Sequence, residues 1–163
     1  MKGNSMIIHI SWSGPYNLND IKKLNEDIDF GIYQIYGSHP LYGNDVLIYI
    51  GKAQAQTFYT RIKQEGWENT NDPNTIKVYI GRLIGKKSVS ESEWDTQINL
   101  AEKLLIFSHA PALNSSNLNS LPEKELVEIT VFNWGSHRQL YPEVSGKRWS
   151  SKYDDIENDA YYS

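Results

Sequence analysis

Phe30-Gly31-Ile32-Tyr33-Gln34-Ile35-Tyr36 and, ten residues further on, Val46-Leu47-Ile48-Tyr49-Ile50-Gly51 are two short runs of β-branched and aromatic residues. Such residues suit a pleated, half-buried surface. Turn formers bound both runs: Gly37-Ser38-His39-Pro40 follows the first and Gly51 closes the second. An antiparallel pair is expected, joined through Tyr42-Gly43-Asn44-Asp45. Alternation places Tyr33 on one face with Ile35 and Tyr49 on one face with Leu47. The two phenols can then converge on one side of the pair.

Working outward, Met6-Ile7-Ile8-His9-Ile10-Ser11-Trp12 reads as a strand closed by Ser13-Gly14-Pro15. Asn17 or Asn19 can cap a short helix through Ile21 and Leu24, with Asp20 in its first turn. This N-terminal part is expected to be an addition packed against the core. Downstream, Gln54 to Gln64 reads as a helix with Ala55, Phe58 and Ile62 as its apolar stripe, stopped by Gly66. After the turn-rich residues 69–74, Thr75 to Ile80 reads as a third strand. Its Tyr79-Ile80-Gly81 repeats a tripeptide of the second run and is assigned to structure.

Ser90 through Ser108 carries the strongest helical pattern. Ser90 and Glu93 have the spacing of a capping box, and Trp94, Ile98, Ala101 and Leu105 follow one face. Leu104 and Ile106 widen the apolar surface, which makes the carboxylate of Glu102 conspicuous. Leu126 to Phe132 reads as a further strand at a sheet edge. Beyond Gly135 the chain reads as irregular, with residues 153–163 as a solvated acidic tail. The fold class expected is a small α/β (α+β) domain, its central, mainly antiparallel sheet flanked by helices.

Composition narrows the functional classes. A chain of 163 residues suits one domain with a real core. With no cysteine there is neither a disulfide framework nor a thiolate metal site. The four histidines lack zinc-site spacing. No apolar run approaches the ~20 residues of a membrane helix, so no membrane partner is expected and the cytoplasm is the default. Net charge is −4, which speaks against a broad basic coat for nucleic acid. Residues 47–90 nevertheless hold seven basic side chains, Lys52, Arg61, Lys63, Lys77, Arg82, Lys86 and Lys87, against Glu65, Glu68 and Asp72. A phosphate chain could be drawn to that segment over a small footprint.

Phosphodiester hydrolysis requires a nucleophilic water, neutralisation of charge on the phosphoryl oxygens, and stabilisation of the leaving oxygen. Glu102 can hold a divalent cation, and Arg61 presents a rigid fork of donors to phosphate. A tyrosine near both can take or relay the water's proton if cation and guanidinium depress its pKa. Taken singly, Tyr33 and Tyr49 read as packed sheet tyrosines, Arg61 as a solvated helix charge, and Glu102 as half of a salt bridge. Their order along the chain carries the case.

Gly31-Ile32-Tyr33, Tyr49-Ile50-Gly51-Lys52-Ala53, Arg61 in the following helix, Glu102 in a later one, and Pro111-Ala112-Leu113-Asn114 beyond it together resemble the GIY-YIG nuclease family. The resemblance covers roughly residues 29 to 118, with N-terminal and C-terminal additions to that core. It implies metal-assisted cleavage of DNA with Mg2+ or Mn2+ on Glu102. Tyr33 and Tyr49 would serve water activation and phosphate contact, with Tyr33 preferred as base. Arg61 would clamp the scissile phosphate, and Asn114 would hold the site together. Lys52 would line the phosphate path, while Lys77, Arg82, Lys86 and Lys87 would contact the DNA backbone. Where some branches carry a histidine one turn after the arginine, this chain has Glu65, so proton transfer is expected to rely on Tyr33, Tyr49 or Lys52. DNA is the expected partner, with RNA and pairing of two chains left open. The alternative is a catalytically inactive nucleic-acid-binding or regulatory module that keeps the fold, and a third reading is a structural or protein-interaction role.

Overall fold

A Cβ atom on Gly31 would lie 2.0 Å from the carbonyl oxygen of Gly81, and one on Gly81 would meet the Trp12 ring at 2.9 Å. These two glycines let three strands close up where any side chain would hold them apart. The computed structural model describes residues 5–85, 90–118 and 124–149. It contains a mixed sheet of six strands: β1 (Met6–Tyr16), β2 (Gly31–His39), β3 (Gly43–Ala53), β4 (Lys77–Ile84), β5 (Ile129–Gly135) and β6 (Glu143–Ser145). Their spatial order is β3-β2-β4-β1-β5-β6. Only β1 and β5 are parallel; the other four pairings are antiparallel.

Helices α1 (Phe58–Gln64), α2 (Glu91–His109) and α3 (Lys124–Val127) accompany the sheet. The α2 start follows from the capping box: Ser90 Oγ accepts from Glu93 N at 3.2 Å, and Glu93 Oε2 accepts from Ser90 N at 3.2 Å. It ends at Ala110, in the left-handed region, followed by Pro111. In α1, Thr57 is the cap, its Oγ1 accepting from Thr60 N. The helix therefore begins at Phe58, not at Gln54, because the bend at residues 54–56 precedes the cap. Among the described residues, no helix is long and apolar enough to cross a membrane.

Two cores form on opposite faces of the sheet. Ile8, Ile10, Ile32, Ile50 and Val131 pack with Ile98, Ala101, Leu104 and Leu105 of α2. On the other face Tyr33, Ile35, Val78 and Ile80 pack with Phe58 and Ile62 of α1 and with Ile21 and Leu24. Ile21 lies in a 3-10 turn, Asp20–Lys23, entered through Asn17, whose Oδ1 accepts from Asn19 N and Asp20 N.

Three further expectations change. The N-terminal strand lies within the sheet and not against it: β1 stands between β4 and β5 and is paired on both sides. It also runs past Ser13-Gly14-Pro15 to Tyr16 through a register shift. β5 is not an edge strand, because the three-residue β6, within a stretch that lacks strand alternation, covers it. Finally, Tyr49 does not share a face with Leu47. Ile35 pairs with Tyr49 but Tyr36 with Leu47, leaving Ile48 as the extra residue of a β-bulge. One inserted residue reverses the alternation. Tyr49 and Ile48 join the Tyr33 core, while Leu47 joins the α2 core.

Candidate active site

Regular pairing of β2 with β3 brings the two tyrosines together: Tyr33 lies opposite Gly51 and Ile35 opposite Tyr49, which puts both phenols on one face. The Tyr33 and Tyr49 rings lie 6.2 Å apart at 34°, and Tyr49 leans on Trp67 at 5.5 Å. Phe58 from α1 meets Tyr33 edge-on. Gly51, directly opposite Tyr33 in the β2–β3 ladder, leaves room for the phenol. A Cβ there would sit 2.4 Å from Tyr33 Oη and 2.7 Å from Tyr49 Cε1.

Tyr33 is fully buried, and its hydroxyl donates to Glu65 Oε1 at 2.5 Å. Glu65 caps the C-terminal end of α1, one turn after Arg61. Its other oxygen accepts from Trp67 Nε1 at 2.8 Å, and Arg61 Nε stands 3.7 Å from Oε1. Burial, then the Glu65 charge and hydrogen bond, push the Tyr33 hydroxyl well above the ordinary phenol range. Burial and the same carboxylate push Tyr49 up to about 12. Both phenols are thus neutral near pH 7.

Glu102 approaches from the other face. It projects from α2 beside Lys52 of β3, with Lys52 Nζ at 3.4 Å from Oε2 and also donating to Asn99 Oδ1. The Glu102 carboxyl is raised above the usual range, chiefly by burial, against the pull of Lys52, Arg61 and Lys103. Its charge is in turn felt by Tyr49. The cluster therefore straddles β3, the edge strand, with Tyr33, Tyr49, Arg61 and Glu65 on one side and Lys52 and Glu102 on the other. Arg61 is the open member, its side chain 44% exposed against 15% for Glu102.

Asn114 completes the edge. Its Oδ1 accepts from Ile50 N at 3.0 Å, and its Nδ2 donates to Ile50 O at 2.9 Å. Leu113 N adds a bond to Ile48 O at 2.8 Å. The segment after α2 thereby satisfies backbone groups that an edge strand leaves unpaired.

Of the basic side chains expected to contact a backbone, Lys77 and Arg82 have acidic partners outside this cluster. Lys77 pairs with Asp45 at 3.3 Å, and Arg82 is bound to the Asp29 carboxylate and donates to Ile28 O at 2.9 Å. Lys86 and Lys87 lie outside the described residues, as does the acidic tail. A groove of about 570 Å3 opens behind Trp67 and is lined by His39, Ile48, Asn71 and Leu113, without Tyr33, Tyr49, Arg61 or Glu102.

Glu65 is the member of the cluster that sequence reasoning passed over as a mere substitute for histidine. Its spacing of four from Arg61 signals an ion pair on a helix. Nothing local signals that the same carboxylate reaches Tyr33, 32 residues away. No protein-family model, no curated protein and no solved structure matches the chain.

Proposed function

We propose that this chain is a metal-dependent endonuclease that hydrolyses DNA phosphodiester bonds, on a scaffold of the GIY-YIG type. The observation that carries the reading is the gathering of Tyr33, Tyr49, Arg61 and Glu102, distant in sequence, around one strand edge.

The donor set fits a hard cation. Magnesium takes one or two carboxylates together with substrate oxygens and keeps several waters, and Glu102 offers one carboxylate without nitrogen or sulfur competitors. Among the described residues no group of three or more His, Asp or Glu is assembled to hold a metal unaided. Bound Mg2+ or Mn2+, held by Glu102, would neutralise charge on the phosphoryl and leaving oxygens. Lys52 stands in the cation's direction and would move aside or turn to the phosphate. Arg61 presents its guanidinium to the scissile phosphate, whose charge replaces the distant contact with Glu65. Water activation belongs to the corner where Tyr33, Tyr49 and Glu65 meet. Asn114 keeps β3, and with it Tyr49 and Lys52, in register.

A second reading, a nucleic-acid-binding module without turnover, is favoured by one observation: the Lys52 ammonium already satisfies the Glu102 carboxylate. One experiment separates the two. Duplex, branched and single-stranded DNA, with RNA alongside, are incubated with Mg2+ or Mn2+ and with the wild type, Glu102→Ala and Arg61→Ala. Metal-dependent product lost in both variants supports the nuclease. Binding without product supports the module.

A further inference from the structure

The chain holds a carboxylate where water activation would occur, and three features single it out. First, Glu65 has lone pairs to spare. A carboxylate offers about four acceptor positions; Tyr33 takes one on Oε1 and Trp67 one on Oε2, and with the Tyr49 hydroxyl also near enough to interact a position still stays open. At 3.7 Å, Arg61 Nε is beyond hydrogen-bond range of Oε1. Second, Glu65 reaches solvent where Tyr33 does not: its side chain is 15% exposed and Tyr33 is 0% exposed. Third, it stands beside Arg61, the exposed group assigned to the phosphate, so a water at its open edge is also next to the scissile phosphorus.

The competing acceptors are weaker. Tyr33 is sealed from solvent and has already committed its proton to Glu65, and Tyr49 holds its proton to about pH 12. Lys52 is an ammonium paired with Glu102 and has no lone pair to offer. Carboxylate basicity combined with fixed orientation is what a general base needs.

We propose, building on the nuclease reading, that Glu65 is the catalytic base, with Tyr33 and Trp67 as positioning residues that fix its two oxygens. In the step, the water oxygen bonds to phosphorus as one ester P–O bond breaks. The water's proton passes to Glu65 and then to solvent, and solvent protonates the departing oxygen.

Glu65→Gln isolates the base from its framework. The amide oxygen can accept from Trp67 Nε1, and the amide nitrogen can donate to Tyr33 Oη, a hydroxyl able to reverse its role. The measurements are single-turnover cleavage with Mg2+, DNA affinity without metal, and the melting temperature. Glu65→Gln is expected to lose about 100-fold or more in rate, as for removal of a general base, with affinity and melting little changed. Glu65→Asp, which keeps a carboxylate, should cleave faster than Glu65→Gln and carries the test should the amide variant fold poorly. Tyr33→Phe should lose less rate than Glu65→Gln.

Glu65→Gln at wild-type rate, Glu65→Asp no faster than Glu65→Gln, or Tyr33→Phe as slow as Glu65→Gln would overturn the assignment and leave the nuclease reading standing. A rate loss that merely tracks weaker binding and lower melting would overturn it too. Wild-type protein that cleaves none of the substrates overturns both.

Discussion

Asn114 pairs with Ile50 as a neighbouring strand residue would, giving its backbone N–H an acceptor at 3.0 Å and its carbonyl a donor at 2.9 Å from one side chain. The amide is almost fully buried.

Asn114→Ala should therefore strand two buried backbone groups. Each such loss costs about 1 to 3 kcal/mol, and urea denaturation is expected to show a destabilisation in the range of about 2 to 6 kcal/mol. Asn114→Asp can accept from Ile50 N but cannot donate to its carbonyl at neutral pH, so its midpoint should fall between wild type and alanine. An alanine variant as stable as wild type would refute the bracing role.

Gly51→Ala places a methyl group where Tyr33 Oη lies 2.4 Å away. Tyr33 is fully buried and packed against Phe58 and Tyr49, so the phenol must push on its neighbours to move. Overpacking of this kind costs about 1 to 3 kcal/mol, and moving the phenol also disturbs its bond to Glu65. A lowered melting temperature together with reduced cleavage is expected. Unchanged cleavage would show that the Tyr33–Glu65 contact is dispensable.

Arg61→Ala should reduce single-turnover cleavage by about 100- to 1000-fold, the usual loss for one oriented donor on developing charge. Arg61→Lys should recover only part of it, because an ammonium lacks the planar fork. Glu102→Ala should remove the metal dependence itself. A titration of Mg2+ against rate reads this directly, and a variant retaining the wild-type metal curve would move the cation elsewhere.

His109 gives the fold a pH response on its own. Nδ1 contacts Leu105 O at 2.8 Å and Nε2 accepts from Tyr141 N at 2.9 Å, so the ring is held neutral with its proton on Nδ1. Burial lowers its pKa below the ordinary histidine range. A depressed folded pKa means a stability contribution that is complete above the unfolded value near 6.5 and is lost as pH falls through the folded one. Wild-type stability should decline between pH 7 and pH 5.5. His109→Gln should start lower at pH 7 by about 1 kcal/mol, the worth of a hydrogen bond, and decline less. Parallel denaturation curves for the two proteins over that range would refute the prediction.

The strand pair, the helix read from Ser90 to Ser108, the Gly66 stop and the order of the candidate residues were all legible from residue types and spacing. These signals are local. A capping box acts within four residues, and β-branched runs declare strands by their own composition. The same reasoning placed Tyr79-Ile80-Gly81 in a structural strand, and there Tyr79 is buried beside β2.

What the amino-acid order could not declare is the pairing of distant segments. The close packing of β2, β4 and β1 depends on Gly31 leaving room for the Gly81 carbonyl and on Gly81 leaving room for Ile10 and Trp12, a matter of three segments at once. Tyr49 shares a face with Tyr33 only because β3 pairs with β2 in the register that sets it opposite Ile35, and the bulge at Ile48 then turns Leu47 to the other face. The Tyr33–Glu65 bond arises where α1 docks on the sheet, and the Lys52–Glu102 pair where α2 docks on the opposite face. Local conformational preference is a property of neighbours in the chain, whereas the placement of a carboxylate against a phenol or an ammonium is decided by which surfaces bury each other.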